Sequence, residues 1–217
     1  MPTSASADQI REDFDTIAAV TPHGEHLGPY EAWLLTSLPA GRGTVLEVGC
    51  GVGNLARRLA AAFERVVAID FSEGMISEAR RRSTDDAVEY VCADLFEWLR
   101  EHPDAYDCIV SVGTLHHVDL GPALEQMALA LKPGGRLLIL DLLSRKGLVI
   151  NAFAWVVARL REGFTRGIAW KLRRAFWRHG RNERYLTLEE VRGAALPGAR
   201  VKEHLLFRYS IIWDKGI

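Results

Sequence analysis

From residue 44 onward, apolar runs of five or six residues alternate with stretches whose apolar positions recur at helical spacing. The runs Thr44–Val48, Val66–Asp70, Val88–Cys92, Asp107–Val112 and Arg136–Asp141 predict strands, and helices are predicted from Asn54, from Glu73, from Leu95 and over Leu120–Leu131. The turn Lys132-Pro133-Gly134-Gly135 separates the last of these helices from the fifth strand. Near-continuous apolar strands joined through helices predict an α/β fold, a parallel sheet covered on both faces.

Ahead of this series, Ile10, Phe14 and Ile17 keep helical spacing until Pro22 and Gly24 interrupt it, and a second helix is predicted over Pro29–Leu38. Behind it, Thr187 and Glu190 stand at capping-box spacing and start a short helix. Arg200–Trp213 is rich in strand formers and predicts two final strands paired antiparallel. No Gly, Pro, Asn or Asp lies between Ala199 and Trp213, so the sequence does not mark the turn between them.

Leu148–Arg181 breaks the rhythm. It opens with apolar Leu148–Val157, shorter than the roughly 20 residues a bilayer span needs, so no integral membrane segment is expected. It then turns basic and aromatic: between Arg159 and Arg184 the acids are Glu162 and Glu183. On a helix, Trp170, Arg173, Arg174, Trp177 and Arg181 share one side. The chain therefore reads as one domain: a helical cover over 1–40, a core over 41–145, a basic helical lid over 146–184, and a C-terminal helix with the last strands over 185–217.

With 217 residues there is material for one sizeable α/β core. A net charge of -1 gives no overall attraction to nucleic acid or to an anionic membrane. Met1–Gln9 lacks the cationic and apolar regions of a secretory leader, so the expected location is cytoplasmic. Cys50, Cys92 and Cys108 have no C-x-x-C spacing and read as reduced, mostly buried thiols.

The most informative stretch is Val45-Leu46-Glu47-Val48-Gly49-Cys50-Gly51-Val52-Gly53, a strand running into three alternate glycines before a helix. Without a Cβ, such a turn accepts positive φ and lets backbone amides approach a ligand. Asp70 ends the next strand, where a carboxylate can accept hydrogen bonds from ribose hydroxyls. Together they predict a nucleoside-cofactor site. A nicotinamide dehydrogenase uses a similar turn, and Gly51, Gly53 and Ala56 fit a permitted variant of its fingerprint.

Glu47-x-Gly49-x-Gly51-x-Gly53, Asp70, Ala93-Asp94 and Leu131-Lys132-Pro133-Gly134-Gly135, in this order, resemble the class I S-adenosylmethionine-dependent methyltransferases over roughly residues 40 to 142. Leu115–Val118 is similar to a Leu-His-His-Val segment of the branch acting on small molecules and quinone or lipid precursors. The resemblance implies a Rossmann-like, mostly parallel seven-stranded sheet with an antiparallel last strand, and S-adenosyl-L-methionine as cofactor. It also implies that Gly49, Gly51 and Gly53 face the methionine part, with Glu47 organising the loop from below or holding the amino group through water. By the same likeness Asp70 binds the ribose, Phe71 and Met75 flank the adenine, Asp94 and Leu95 meet its amino edge, and Val112, Gly113 and His116 line the transfer chamber. The dehydrogenase and a non-catalytic cofactor-binding relative remain the alternatives, although the chain has no Tyr-x-x-x-Lys pair after the fourth strand.

Methyl transfer to a hydroxyl or carbon acid requires loss of a proton, which suits a histidine. His116 and His117 are the candidate bases, or one of them simply packs in the loop. Asp141 is placed to touch substrate or orient a histidine, and Asp119 reads as a helix N-cap. His23 and His26 form H-x-x-H without a third metal ligand, so no metal is expected. Tyr30, His179 and Tyr185 are candidate substrate contacts; Tyr30 would close over the cofactor carboxylate, or serve as a core residue. The cationic face of the lid points to an acidic, phosphorylated or lipid-like small-molecule acceptor with peripheral lipid contact, or to a solvated face. RNA is a third reading of that face, but no RNA-binding module accompanies it, so no nucleic-acid partner is expected. The sequence is compatible with a monomer or a homodimer.

Overall fold

The computed structural model describes residues 11, 14, 15, 17, 18, 30–41, 43–83, 86–144, 185–205 and 207–216. After helix α1 (Glu31–Ser37), strand and helix alternate: β1 (Thr44–Val48), α2 (Asn54–Leu59), β2 (Arg65–Asp70), α3 (Glu73–Arg82), β3 (Val88–Cys92), α4 (Leu95–Glu101) and β4 (Tyr106–Val112). A 3₁₀ turn (Leu115–His117), α5 (Leu120–Ala130), β5 (Leu131–Leu142), α6 (Leu188–Ala194), β6 (Arg200–His204) and β7 (Arg208–Asp214) complete it. The proposed lid, including His179, lies outside the described residues, as do His23 and His26.

The seven strands lie in the order β3-β2-β1-β4-β5-β7-β6. β1 through β5 are mutually parallel, and β7 alone runs against both its neighbours. The order reverses at β1, which pairs with β2 on one side and β4 on the other; such a switch point opens a crevice at the carboxyl ends of the strands.

Successive residues of a strand point to opposite faces, so each strand feeds two cores. Leu46, Val48, Ile109, Leu137 and Ile139 pack with Leu99, Leu124 and Met127 of α4 and α5. Val45, Ala68, Val110 and Leu138 pack on the other face with Leu34, Leu55, Leu59 and Ile76 of α1, α2 and α3. Thr187 and Glu190 form the expected reciprocal capping box on α6.

The structure adds detail to several expectations and moves the start of the fifth strand. β5 extends back to Leu131, because the Lys132–Gly135 turn sits inside the strand as an irregularity in its pairing with β4. Asp119 occupies the N-cap position of α5 but makes no side-chain cap hydrogen bond. Cys92 is exposed, whereas Cys50 and Cys108 are buried, and all three thiols are free. The chain reverses between His204, the end of β6, and Arg208, the start of β7, with Phe207 at φ 56°. Among the described residues, no helix is long and apolar enough to cross a membrane.

Candidate active site

A cavity of about 390 Å³ opens at the carboxyl ends of β1, β2 and β4. Gly49, Gly51, Asp70, Phe71, Met75, Asp94, Leu95, Val112, Gly113 and His117 all line it, joined by Thr114 and by Arg11 and Phe14 from the N-terminal helical segment.

The three alternate glycines have three different neighbours. Gly51 is the one open to the cavity: its φ is +51°, and a Cβ there would meet only the Met75 sulfur, at 3.9 Å. Gly49 is pressed against Thr114, whose side chain would stand 2.1 Å from an added Cβ. Gly53 is absent from the cavity lining and abuts the Tyr90 ring, 2.7 Å from where a Cβ would be.

Asp70 binds the glycine loop to the next helix. Its Oδ2 accepts from Gly51 N at 2.9 Å and its Oδ1 from Ser72 N at 3.0 Å. Burial raises its carboxyl above the ordinary range, and these backbone donors oppose the shift. Each oxygen keeps a second lone pair for a ligand hydroxyl. Asp94 caps α4, its Oδ1 accepting from Phe96 N and Glu97 N, and its side of the cavity carries Ala93 and Leu95.

Glu47 lies below the loop, 3% exposed and outside the lining. Its Oε2 has no hydrogen-bond partner, and burial followed by the Asp70 charge pushes its carboxyl well above 4.5. A carboxyl raised on folding stabilises fully below its unfolded value, and that contribution is lost as pH rises through the folded value. Glu47→Gln is therefore expected to melt higher than the parent at pH 8 without ligand, by about 1–3 kcal/mol or roughly 2–4 °C per kcal/mol, and to converge with it below pH 4.5. Equal melting at pH 8 would show that the buried acid costs nothing.

The two histidines separate in role. His116 is absent from the cavity lining and is bound to Asp141. Asp141, fully buried, accepts from His116 N at 3.0 Å and Leu142 N at 2.7 Å, and its Oδ1 lies 2.7 Å from His116 Nδ1. A carboxylate can only accept here, so Nδ1 carries the hydrogen. His117 faces the cavity, its ring 4.0 Å from that of His116. The Tyr185 ring lies 5.2 Å from that of His116. The Tyr30 hydroxyl donates to the Leu205 carbonyl and its ring packs on that of His204 at 5.5 Å; Tyr30 is absent from the cavity lining.

Residues 45–135 match the family described as the methyltransferase domain. The fold matches an S-adenosylmethionine-dependent methyltransferase of Mesorhizobium loti with a TM-score of 0.64 at 20% identity, covering 88% of this chain and all of that one. Over 195 residues the chain is 31% identical to an uncharacterized methyltransferase of Mycobacterium tuberculosis, covering 85% of this chain and 93% of that protein. The chain belongs to the methyltransferases. The methyltransferase is also 33% identical to a demethylmenaquinone methyltransferase of Clavibacter sepedonicus over 144 residues, 64% of this chain and 57% of that protein. Family membership replaces the dehydrogenase alternative.

The methyltransferase cavity fits the cofactor on its own evidence: backbone at Gly51 open to the ligand, a carboxylate at Asp70, and apolar walls at Phe71, Met75 and Leu95. Sequence reading missed Thr114, Arg11 and their part in the lining. Thr114 leaves no motif, since its importance lies in contact with Gly49, 65 residues away.

Proposed function

We propose that this methyltransferase acts on a small, ring-bearing acceptor whose hydroxyl or carbon acid must lose a proton as the methyl group arrives. When bound, S-adenosylmethionine supplies a sulfonium methyl group for in-line displacement. Gly51 and Asp70 would hold the nucleoside, Phe71 and Met75 its base, and Asp94 with Leu95 the far edge. Val112, Gly113 and Leu115, at the end of β4, bound the apolar space in which donor and acceptor are aligned and water is excluded; alignment alone is worth up to about 7–11 kcal/mol.

The observation that carries the reading is His117, an imidazole in the cavity wall backed by the Asp141-oriented His116. A base is superfluous for a carboxylate acceptor, which is already ionised. It is needed for a phenol, an enol or the ring carbon of a hydroquinone. The name of the demethylmenaquinone relative supports a quinone-like ring. Tyr185, beside His116, would border the acceptor, and His179 is proposed as a further contact from the basic lid.

A panel of phenols, hydroxyquinones, carboxylates and amines, with mass detection of a methyl gain, tests this. Methylation of hydroxylated rings at least tenfold faster than of carboxylates is expected. Transfer confined to carboxylates or amines would overturn it.

A further inference from the structure

Residues 11, 14, 15, 17 and 18 are helical and reach the site from outside the sheet. Phe14 stands edge-on to two walls of the cavity at once, 5.6 Å from the Phe71 ring and 5.4 Å from the His117 ring. The Arg11 guanidinium lies 6.0 Å over the face of Phe71. Ile17 and Ala18, each 2% exposed, pack with Val52 of the glycine loop and Met75 of α3.

Asp15 does not line the cavity, yet it fixes the segment. Its Oδ1 accepts from the Ser72 hydroxyl and from Gly74 N at 3.0 Å. Ser72 Oγ in turn accepts from Met75 N at 3.1 Å. Together they satisfy amides of the first turn of α3 that have no partner within the helix and place a negative charge at its positive end. The fit is close: a Cβ on Gly74 would lie 2.8 Å from Asp15 Oδ1 and 3.0 Å from its Cα.

We propose that this N-terminal segment is a working wall of the cofactor site, with Asp15 as a positioning residue that sets how fast the cofactor leaves. The inference rests on the reading of the cavity as the S-adenosylmethionine site. A ligand touching both the sheet side and the segment binds the docked arrangement more tightly than the undocked one, so docking and binding support each other. Weakening the Asp15 contact shifts the segment toward the undocked arrangement and lowers apparent affinity by the fraction of docked chain lost.

The test uses Asp15→Ala and Gly74→Ala in the full chain, with adenosylhomocysteine affinity by calorimetry and release by stopped-flow displacement. Gly74→Ala is the sharper variant. Alanine favours the helix in itself, so weaker binding must come from the collision with Asp15. Each is expected to weaken binding about three- to tenfold, the range for one or two lost hydrogen bonds, mostly through faster release. The KM for the methyl donor should rise more than kcat falls, and Asp15→Asn, which retains an accepting oxygen, should recover part of the loss. Normal affinity and release in both variants, with only a lower melting temperature, would reduce the segment to a structural cover. No uptake of adenosylhomocysteine by the unsubstituted chain would overturn the cofactor reading and this inference together.

Discussion

Asp70→Asn is expected to weaken adenosylhomocysteine binding by roughly 10- to 1000-fold, the loss of one or two hydrogen bonds to a charged acceptor. Both carboxylate oxygens already receive a backbone hydrogen, from Gly51 and from Ser72, each keeps one further lone pair, and the residue lines the cavity. An amide turns one acceptor into a donor, which then opposes either Gly51 N–H or Ser72 N–H and has nothing to offer a ribose hydroxyl. Melting without ligand reports the loop contribution, and calorimetry reports the sum, so the two are separable. A second check is the pH dependence. Because burial raises this carboxyl, its protonation, and with it the loss of affinity, should begin at a higher pH than for an exposed aspartate. Affinity within threefold of the parent would remove Asp70 from the site.

How far the sequence foretells this arrangement depends on the reach of each contact. β1 to β4 and the helices between them were legible because their signals are local: apolar runs and helical periodicity. The glycine loop was legible as a loop, but the separate constraints on Gly49 and Gly53 were not, since Thr114 comes from the turn after β4 and Tyr90 from β3. The last turn shows the same limit. Phe207 takes a left-handed φ of 56° that local chemistry would assign to Gly or Asn. Distant contacts hold it: Leu143 N donates to the Phe207 carbonyl at 2.7 Å, and the Tyr30 hydroxyl donates to Leu205. That second contact is also why Tyr30 is absent from the cavity wall. Asp15 likewise looks like an ordinary polar helix residue until its partner, Gly74, is brought beside it by the fold.

His117→Ala is expected to lower kcat by about 10²- to 10⁴-fold on a hydroxylated acceptor, the usual range for a positioned base, while adenosylhomocysteine affinity changes only a few-fold. His116→Ala should cost less, because His116 is outside the lining and its part is to present His117: Asp141 fixes its backbone N and its Nδ1, and its ring supports the neighbouring imidazole at 4.0 Å. Asp141→Asn should resemble His116→Ala rather than His117→Ala. Acceptor acidity supplies the discriminating measurement. A phenol already ionised at the assay pH gains nothing from a base, so the ratio of parent to His117→Ala rates should shrink toward one as acceptors become more acidic. A ratio indifferent to acidity would mean that His117 shapes the cavity through its contact with Phe14 and takes no proton. Full turnover in His117→Ala with a dead His116→Ala would instead transfer the base to the Asp141-bound imidazole.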